Sequence, residues 1–228
     1  MESYDNTTVP DPKLMDKDNL KSFYKEQLPS LLKTVFLNPI SGTFELFKNP
    51  QKGAYNNSIL LLLSTMALYL VVPYLLAGKY IREVLSLGVL LKISISSGVF
   101  ILVISALAFG IKSISGKPIF KNELLVGALC GIGLVLVLVS FVFVRVFSGN
   151  IDLFDMMDPS RLLSKLRLLL VFTLYIFLFM VNIFQQSLKA SGTKDAISWY
   201  ISPLAILLAF YVWGKITTAF LKPDMSPF

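Results

Sequence analysis

Residues 124–147 read LLVGALCGIGLVLVLVSFVFVRVF, an apolar tract whose single charge, Arg145, stands near its end. About 20 such residues in a helix cross the roughly 30 Å hydrocarbon core of a bilayer. Four further apolar tracts of similar length occupy residues 58–77, 93–111, 168–184 and 197–213. The sequence therefore predicts an all-α, polytopic membrane bundle of five transmembrane helices.

The composition of the whole chain agrees with a lipid environment. Of its 228 residues, 55% are hydrophobic and 15% are charged, whereas soluble domains carry about 45–50% and about 25%. The mean hydropathy is +0.70. This apolar surplus excludes a soluble globular domain and predicts the lipid bilayer as a partner. The net charge of +7 is spread over both ends of the tracts, which indicates anionic headgroups rather than nucleic acid.

The second tract can be interpreted as one helix or two. Lys92 is the only charge between residues 84 and 111. A single helix of this length would be about 42 Å long and strongly tilted. We therefore predict a break near Lys92, with residues 80–91 at the interface and the Lys92 side chain reaching the headgroups. Glu123 and Arg145, at the ends of the third tract, are expected to snorkel in the same way.

The polar segment before the first tract is predicted to divide in two. Residues 1–18 have almost no large apolar side chains, which is typical of a disordered tail. In residues 19–57, apolar side chains recur at helical spacing on both sides of Pro29. This predicts two short amphipathic helices broken at Pro29, and a third that follows them. These helices either pack against the protein's own membrane helices or lie in the lipid headgroup layer.

An odd number of spans puts the two ends of the membrane domain, residues 58–214, on opposite sides, with residues 215–228 as a short tail. Lys and Arg near the span ends number seven on one side and nine on the other, so the positive-inside rule does not decide the orientation. A long polar tail is more simply left in the cytoplasm than exported. We therefore expect a cytoplasmic N-terminus.

Small residues at four-residue spacing predict where helices approach each other closely. Gly127 and Gly131 share one face of the third span, and Ala106 and Gly110 repeat the spacing in the second. Because lipid provides no hydrophobic drive between helices, association depends on close contact at such residues. The facing surface belongs to another helix of the chain, to a second copy in a homo-oligomer, or to another membrane protein.

Polar side chains inside the tracts are candidates for a polar cavity. Ser94 and Ser97 stand in the second span, whereas Asn182 and Gln185 lie at the end of the fourth. A transporter needs such a cavity near the membrane midplane, while a scaffold can be dry.

Catalysis is not predicted. The chain has no His, and its one cysteine, Cys130, lies inside an apolar tract. No Ser-His-Asp, Cys-His, Walker or dinucleotide-binding pattern can be assembled, so we expect neither an enzyme nor a cofactor. Asp152, Asp155 and Asp158 are three residues apart. Because Asp158-Pro159 is typical of a helix start, we predict no metal site there.

Three features of the chain resemble the Yip family, five-helix membrane proteins named for Ypt-interacting proteins. They are the Asn38-Pro39, Phe44, Phe47 and Asn49-Pro50 approach to the first span, the Gly116-Lys117-Pro118-Ile119-Phe120-Lys121 connector, and the small-residue third span. The Asp-Leu-Tyr-Gly-Pro tract that eukaryotic members carry before their first helix is missing. The resemblance thus implies a prokaryotic-type member, expected in a bacterial inner membrane, for which the family implies no defined reaction.

Two functions follow as hypotheses. The first is a non-enzymatic scaffold or modulator of membrane organisation that acts through helix packing and its cytoplasmic tail. The alternative is a small transporter or channel subunit, which differs by having a wet interior.

Overall fold

The computed structural model describes residues 17–50, 53–77, 82, 85–148 and 159–221. Their helices are α1 (Lys17–Ser22), α2 (Leu28–Leu37), α3 (Ser41–Lys48), α4 (Ala54–Leu76), α5 (Leu87–Ser115), α6 (Phe120–Ser148), α7 (Pro159–Ala190) and α8 (Asp195–Leu221). In this described part, five helices, α4 to α8, are long and apolar enough to cross a membrane. The predicted all-α bundle of five membrane helices is confirmed.

Successive membrane helices run antiparallel, so the bundle has two ends. We call the end that carries the start of α4, α6 and α8 the N-terminal end, and the other the opposite end. Helix α6 is central, with α4, α5 and α7 around it, and α8 packs against α5 and α7. Every residue from 123 to 134 of α6 is buried. The most apolar tract of the sequence therefore forms the middle of the bundle.

Helix α5 is continuous from Leu87 to Ser115, so the predicted break near Lys92 is wrong. Ser86 starts the helix as its N-cap, because its Oγ accepts a hydrogen bond from the Val89 N–H at 3.3 Å. Lys92 lies in the second turn, with its Nζ 5.7 Å from the centroid of the Phe220 ring of α8. In the sequence, the start of α5 is thus marked by the capping residue Ser86 and not by Lys92.

The N-terminal helices form a continuous helical path, which corrects the prediction of two helices broken at Pro29. A π-helical turn, Phe23–Gln27, joins α1 to α2, and Pro29 lies in the first turn of α2. Within a continuous helical path, proline lacks the N–H donor and its ring would clash with the carbonyl of the residue four positions earlier. The wider turn before it gives the chain room for the ring.

The first and last described helices reach slightly further toward the chain ends than predicted. Helix α1 begins at Lys17, and residues 1–16, which include most of the predicted disordered tail, lie outside the described residues. Helix α8 continues to Leu221, beyond the predicted end of the domain at residue 214.

The N-terminal helices pack against the protein's own membrane helices. The Phe36 ring of α2 stacks on Phe179 of α7 with centroids 5.3 Å apart. Tyr24 Oη lies 2.7 Å from Ser64 Oγ of α4, and the Phe23 side chain is fully buried. Leu37, in contrast, is 74% exposed. The amphipathic segment therefore covers one side of the bundle and turns its other side outward.

Candidate functional site

A buried ion pair joins three helices at the N-terminal end. Lys112 Nζ, in the last turn of α5, lies 2.7 Å from Glu123 Oε2 in the first turn of α6. The same ammonium donates to Ser187 Oγ of α7 at 2.7 Å. The side chains of Lys112 and Glu123 are only 9% and 6% exposed. The expectation that Glu123 snorkels to the headgroups is therefore wrong.

The two charges of the pair suit the helix ends on which they stand. The last turn of a helix carries a partial negative charge and the first turn a partial positive one. Lys112 stands in the negative last turn of α5, and Glu123 stands in the positive first turn of α6. Burying an unpaired charge destabilises the folded protein by several kcal/mol. Here each buried charge meets both an opposite charge and a favourable helix end.

Two amide side chains of α7 form a separate pair of hydrogen bonds toward the N-terminal helices. Gln186 Nε2 donates to Asn182 Oδ1 at 3.2 Å, and Asn182 Nδ2 donates to the carbonyl oxygen of Pro39 at 2.8 Å. Gln186 is next to Ser187 in the sequence, so the same part of α7 carries the contact with the ion pair and the contact with the turn between α2 and α3. We call Lys112, Glu123, Asn182, Gln186 and Ser187 the polar cluster.

The structure does not bring the four residues of the predicted polar cavity together. Ser94 and Ser97 lie toward the opposite end, where Ser94 Oγ donates to the Met66 carbonyl at 2.8 Å and Ser97 Oγ to the Ser94 carbonyl at 2.7 Å. Asn182 faces Pro39 near the N-terminal end. Gln185 is half-buried on the same helix. Ser94 therefore links α5 to α4, Ser97 bonds within its own helix, and the amides belong to the polar cluster or lie beside it.

Gly127 lies where α6 crosses α5 most closely. A Cβ at this position would overlap the Ile101 carbonyl oxygen and Ser105 Oγ. A Cβ at Gly131 would stand 2.8 Å from Ile101 Cδ1, which is the flexible end of a side chain. Both glycines thus face the neighbouring helix of the same chain, and the tighter approach is at Gly127.

Ala106 and Gly110 lie on the outer surface of α5. Ala106 is exposed, and a Cβ at Gly110 would have nothing within 4 Å. The predicted close packing at these two residues is not found within the described part of the chain. A contact missed by sequence reasoning lies instead at Gly133, where a Cβ would overlap the end of the Met180 side chain of α7.

Sequence reasoning also missed the role of Lys112. The available signal was a lysine in the last turn of one span and a glutamate in the first turn of the next, only 11 residues apart. A short connector forces those helix ends together, so such charges meet. Ser187 offered no comparable signal, because it comes from 75 residues away.

The described residues contain no cluster of metal ligands. In that part of the chain, no group of three His, Cys, Asp or Glu side chains stands close enough to hold a metal ion. Asp152, Asp155 and Asp158 lie outside the described residues, and α7 begins directly after them at Pro159. Comparison with known proteins gave no match to any family model, curated protein or solved structure.

Proposed function

We propose that this chain is a non-enzymatic integral membrane protein of the Yip type that modulates membrane organisation as a scaffold. The observation that carries the proposal is the one-sided position of the N-terminal helices. Their contacts with Ser64 and Phe179 lie on the half of the bundle that also holds the polar cluster. Among the described residues, the N-terminal helices therefore widen the bundle on this half.

The depth of this contact favours an effect on one leaflet. Thr65, the residue after Ser64, has its Oγ1 3.5 Å from the place of a Gly131 Cβ. Gly131 follows Glu123 by eight residues, which is about 12 Å along a helix. Helices inserted to this depth beside the bundle would displace lipid in one leaflet only.

The hydrogen bonds of the interior also support a scaffold. Thr65 Oγ1 donates to the Leu61 carbonyl and Ser105 Oγ to the Ile101 carbonyl, each at 2.9 Å within its own helix. Hydroxyls satisfied in this way need no water. A dry, packed bundle suits an interaction protein better than a solute path.

The first test is the size of vesicles that contain the protein. The full chain is reconstituted in one orientation at increasing protein-to-lipid ratio, and vesicle diameters are measured by electron cryomicroscopy. We expect smaller vesicles than with a Phe36→Ala/Asn182→Ala variant, whose N-terminal helices are held less firmly. Equal diameters for both proteins would contradict the proposal.

A transporter or channel subunit is the second candidate, and the buried ion pair favours it. Charged side chains within membrane helices often mark ion or proton pathways. Proton and potassium fluxes are therefore measured in the same liposomes, with protein-free liposomes as the control. The scaffold proposal expects no added flux. Flux that a Lys112→Met/Glu123→Leu variant abolishes would support the transporter.

The proposal includes a cytoplasmic N-terminus and the inner membrane of a bacterium. The polar N-terminal segment supports this orientation, and the five candidate spans then place the C-terminal end of α8 on the other side. The test uses single cysteines at Lys21 and Thr218 in a Cys130→Ala background, labelled with an impermeant thiol reagent. We expect Lys21→Cys to react only from the cytoplasmic side and Thr218→Cys only from the other. The reversed pattern would contradict the orientation.

A further inference from the structure

Two arginines meet at the C-terminal end of α4. Arg145 Nη1 of α6 donates to the Leu75 and Leu76 carbonyls at 3.1 and 2.8 Å. Arg82 donates through Nε to the Tyr74 carbonyl at 3.2 Å and through Nη2 to the same Leu75 carbonyl at 3.3 Å. Both guanidinium groups therefore share one acceptor and lie close together at the opposite end of the bundle.

Among the described residues at this helix end, the charged side chains are positive. Among the described residues, no carboxylate lies within 4 Å of either guanidinium, and the ion pairs found there, Lys112–Glu123 and Lys189–Asp195, belong to the N-terminal end. The C-terminus of α4 offsets only about half a charge. Arg82 and Arg145 therefore bring more than one unit of positive charge that the helix end does not offset, although like charges this close repel each other.

Arg82 is in a position to bind an anion. It is exposed, and its guanidinium carbon lies 5.3 Å from the centroid of the Tyr74 ring, which holds the group in place. A guanidinium carries five N–H donors. Two of its nitrogens donate to α4 carbonyls, and the Nη1 group makes no hydrogen bond to the described residues.

An apolar groove begins directly beside the two arginines. It runs between α4 and the start of α5, has a volume of about 310 Å³, and opens to the outside of the bundle. Its lining is Leu70, Val71, Tyr74, Leu85, Leu87 and Leu90. Tyr74 therefore belongs to both features, since its ring lines the groove and also contacts Arg82.

We propose that this place is a binding site for an anionic phospholipid. Arg82 and Arg145 would bind the phosphate, and the groove would hold the upper part of an acyl chain. Charge selects the ligand, because a zwitterionic headgroup brings a second positive charge to a site that already has an excess. The apolar groove selects a lipid over a free phosphate ion, which has nothing to place there.

The test compares lipids and variants of the full chain in a neutral detergent. Phosphatidylglycerol, phosphatidylcholine and inorganic phosphate are added separately, and bound lipid is counted by native mass spectrometry beside a thermal unfolding curve. One variant, Arg82→Gln, removes an exposed cation. Its matched control is Lys215→Gln, because Lys215 Nζ also lies over a tyrosine ring, that of Tyr211, at 5.7 Å.

We expect phosphatidylglycerol to bind and stabilise the wild-type protein, and phosphatidylcholine and phosphate to do neither. Arg82→Gln should weaken phosphatidylglycerol binding about fivefold, the usual effect of one basic residue near a membrane. Lys215→Gln should leave it unchanged. Equal weakening by both variants, or equal binding of both lipids, would overturn the proposal. Stabilisation by phosphate alone would show a simple anion site instead.

A second variant tests the groove without touching a charge. Val71→Trp fills the groove, and Leu204→Trp places the same side chain on a 65% exposed position of α8. Only Val71→Trp should reduce phosphatidylglycerol binding. Unchanged binding in Val71→Trp would show that the acyl chain does not use the groove and would overturn the proposed site.

Discussion

Gly127 is the residue at which α5 and α6 leave no room for a side chain. Because the atom that a Cβ would meet is the Ile101 backbone carbonyl oxygen, the helices themselves must separate. We predict that Gly127→Ala destabilises the protein in detergent by about 1–3 kcal/mol, the typical cost of overpacking. Gly110→Ala is the control, since a Cβ there would meet nothing within 4 Å. Equal thermal stability of the two variants would contradict close packing of α5 and α6 at Gly127.

The ion pair of the polar cluster makes a prediction about single and double changes. Glu123→Gln leaves the Lys112 ammonium buried without its counter-charge, and removing one partner of a buried pair typically costs about 3–5 kcal/mol. Lys112→Met/Glu123→Leu removes both charges and should recover most of that stability. Chemical unfolding of the wild type and the two variants measures the difference. A double variant less stable than Glu123→Gln would be evidence against this account of the pair.

At the scale of elements, Asn182 holds the turn between α2 and α3 against α7. Its Nδ2 hydrogen bond to the Pro39 carbonyl is worth about 1 kcal/mol. We therefore expect Asn182→Leu to increase local opening of the N-terminal helices about fivefold. Trypsin cleavage after Lys25 and Lys33, which are exposed, measures that opening.

The control for this change is Thr173→Val on the same helix. Thr173 Oγ1 donates only to the Leu169 carbonyl of its own helix, at 2.8 Å, and its side chain is exposed. Cleavage at the same rate in both variants would mean that Asn182 does not hold the N-terminal helices.

The membrane helices could be predicted from the sequence because a span depends on local composition. Every predicted span lies mainly within one observed helix, and the boundary error at Lys92 arose where a local signal, the cap at Ser86, was overlooked. The polar cluster could not be predicted in this way. Asn182 bonds to Pro39 across 143 residues of chain, and no periodicity in either segment records that contact. The close contact at Gly127 could be predicted because small residues at helical spacing often mark the places where membrane helices pack.

For the whole molecule, the central claim is that the bundle interior is packed and dry. Ser97 and Ser105 are almost fully buried on α5, whereas Lys117 is exposed in the connector to α6. A hydrophilic thiol reagent reacts with the thiolate, which forms only where water reaches the cysteine. Single cysteines at these three positions therefore report directly on water in the interior.

The most direct measurement is the rate at which Ser97→Cys, Ser105→Cys and Lys117→Cys react in intact membranes, each in a Cys130→Ala background. The account predicts that Lys117→Cys is labelled to completion while the two interior cysteines stay unlabelled from either side of the membrane. Labelling of Ser97→Cys or Ser105→Cys at a rate comparable to Lys117→Cys, in protein that still unfolds cooperatively, would contradict a dry bundle.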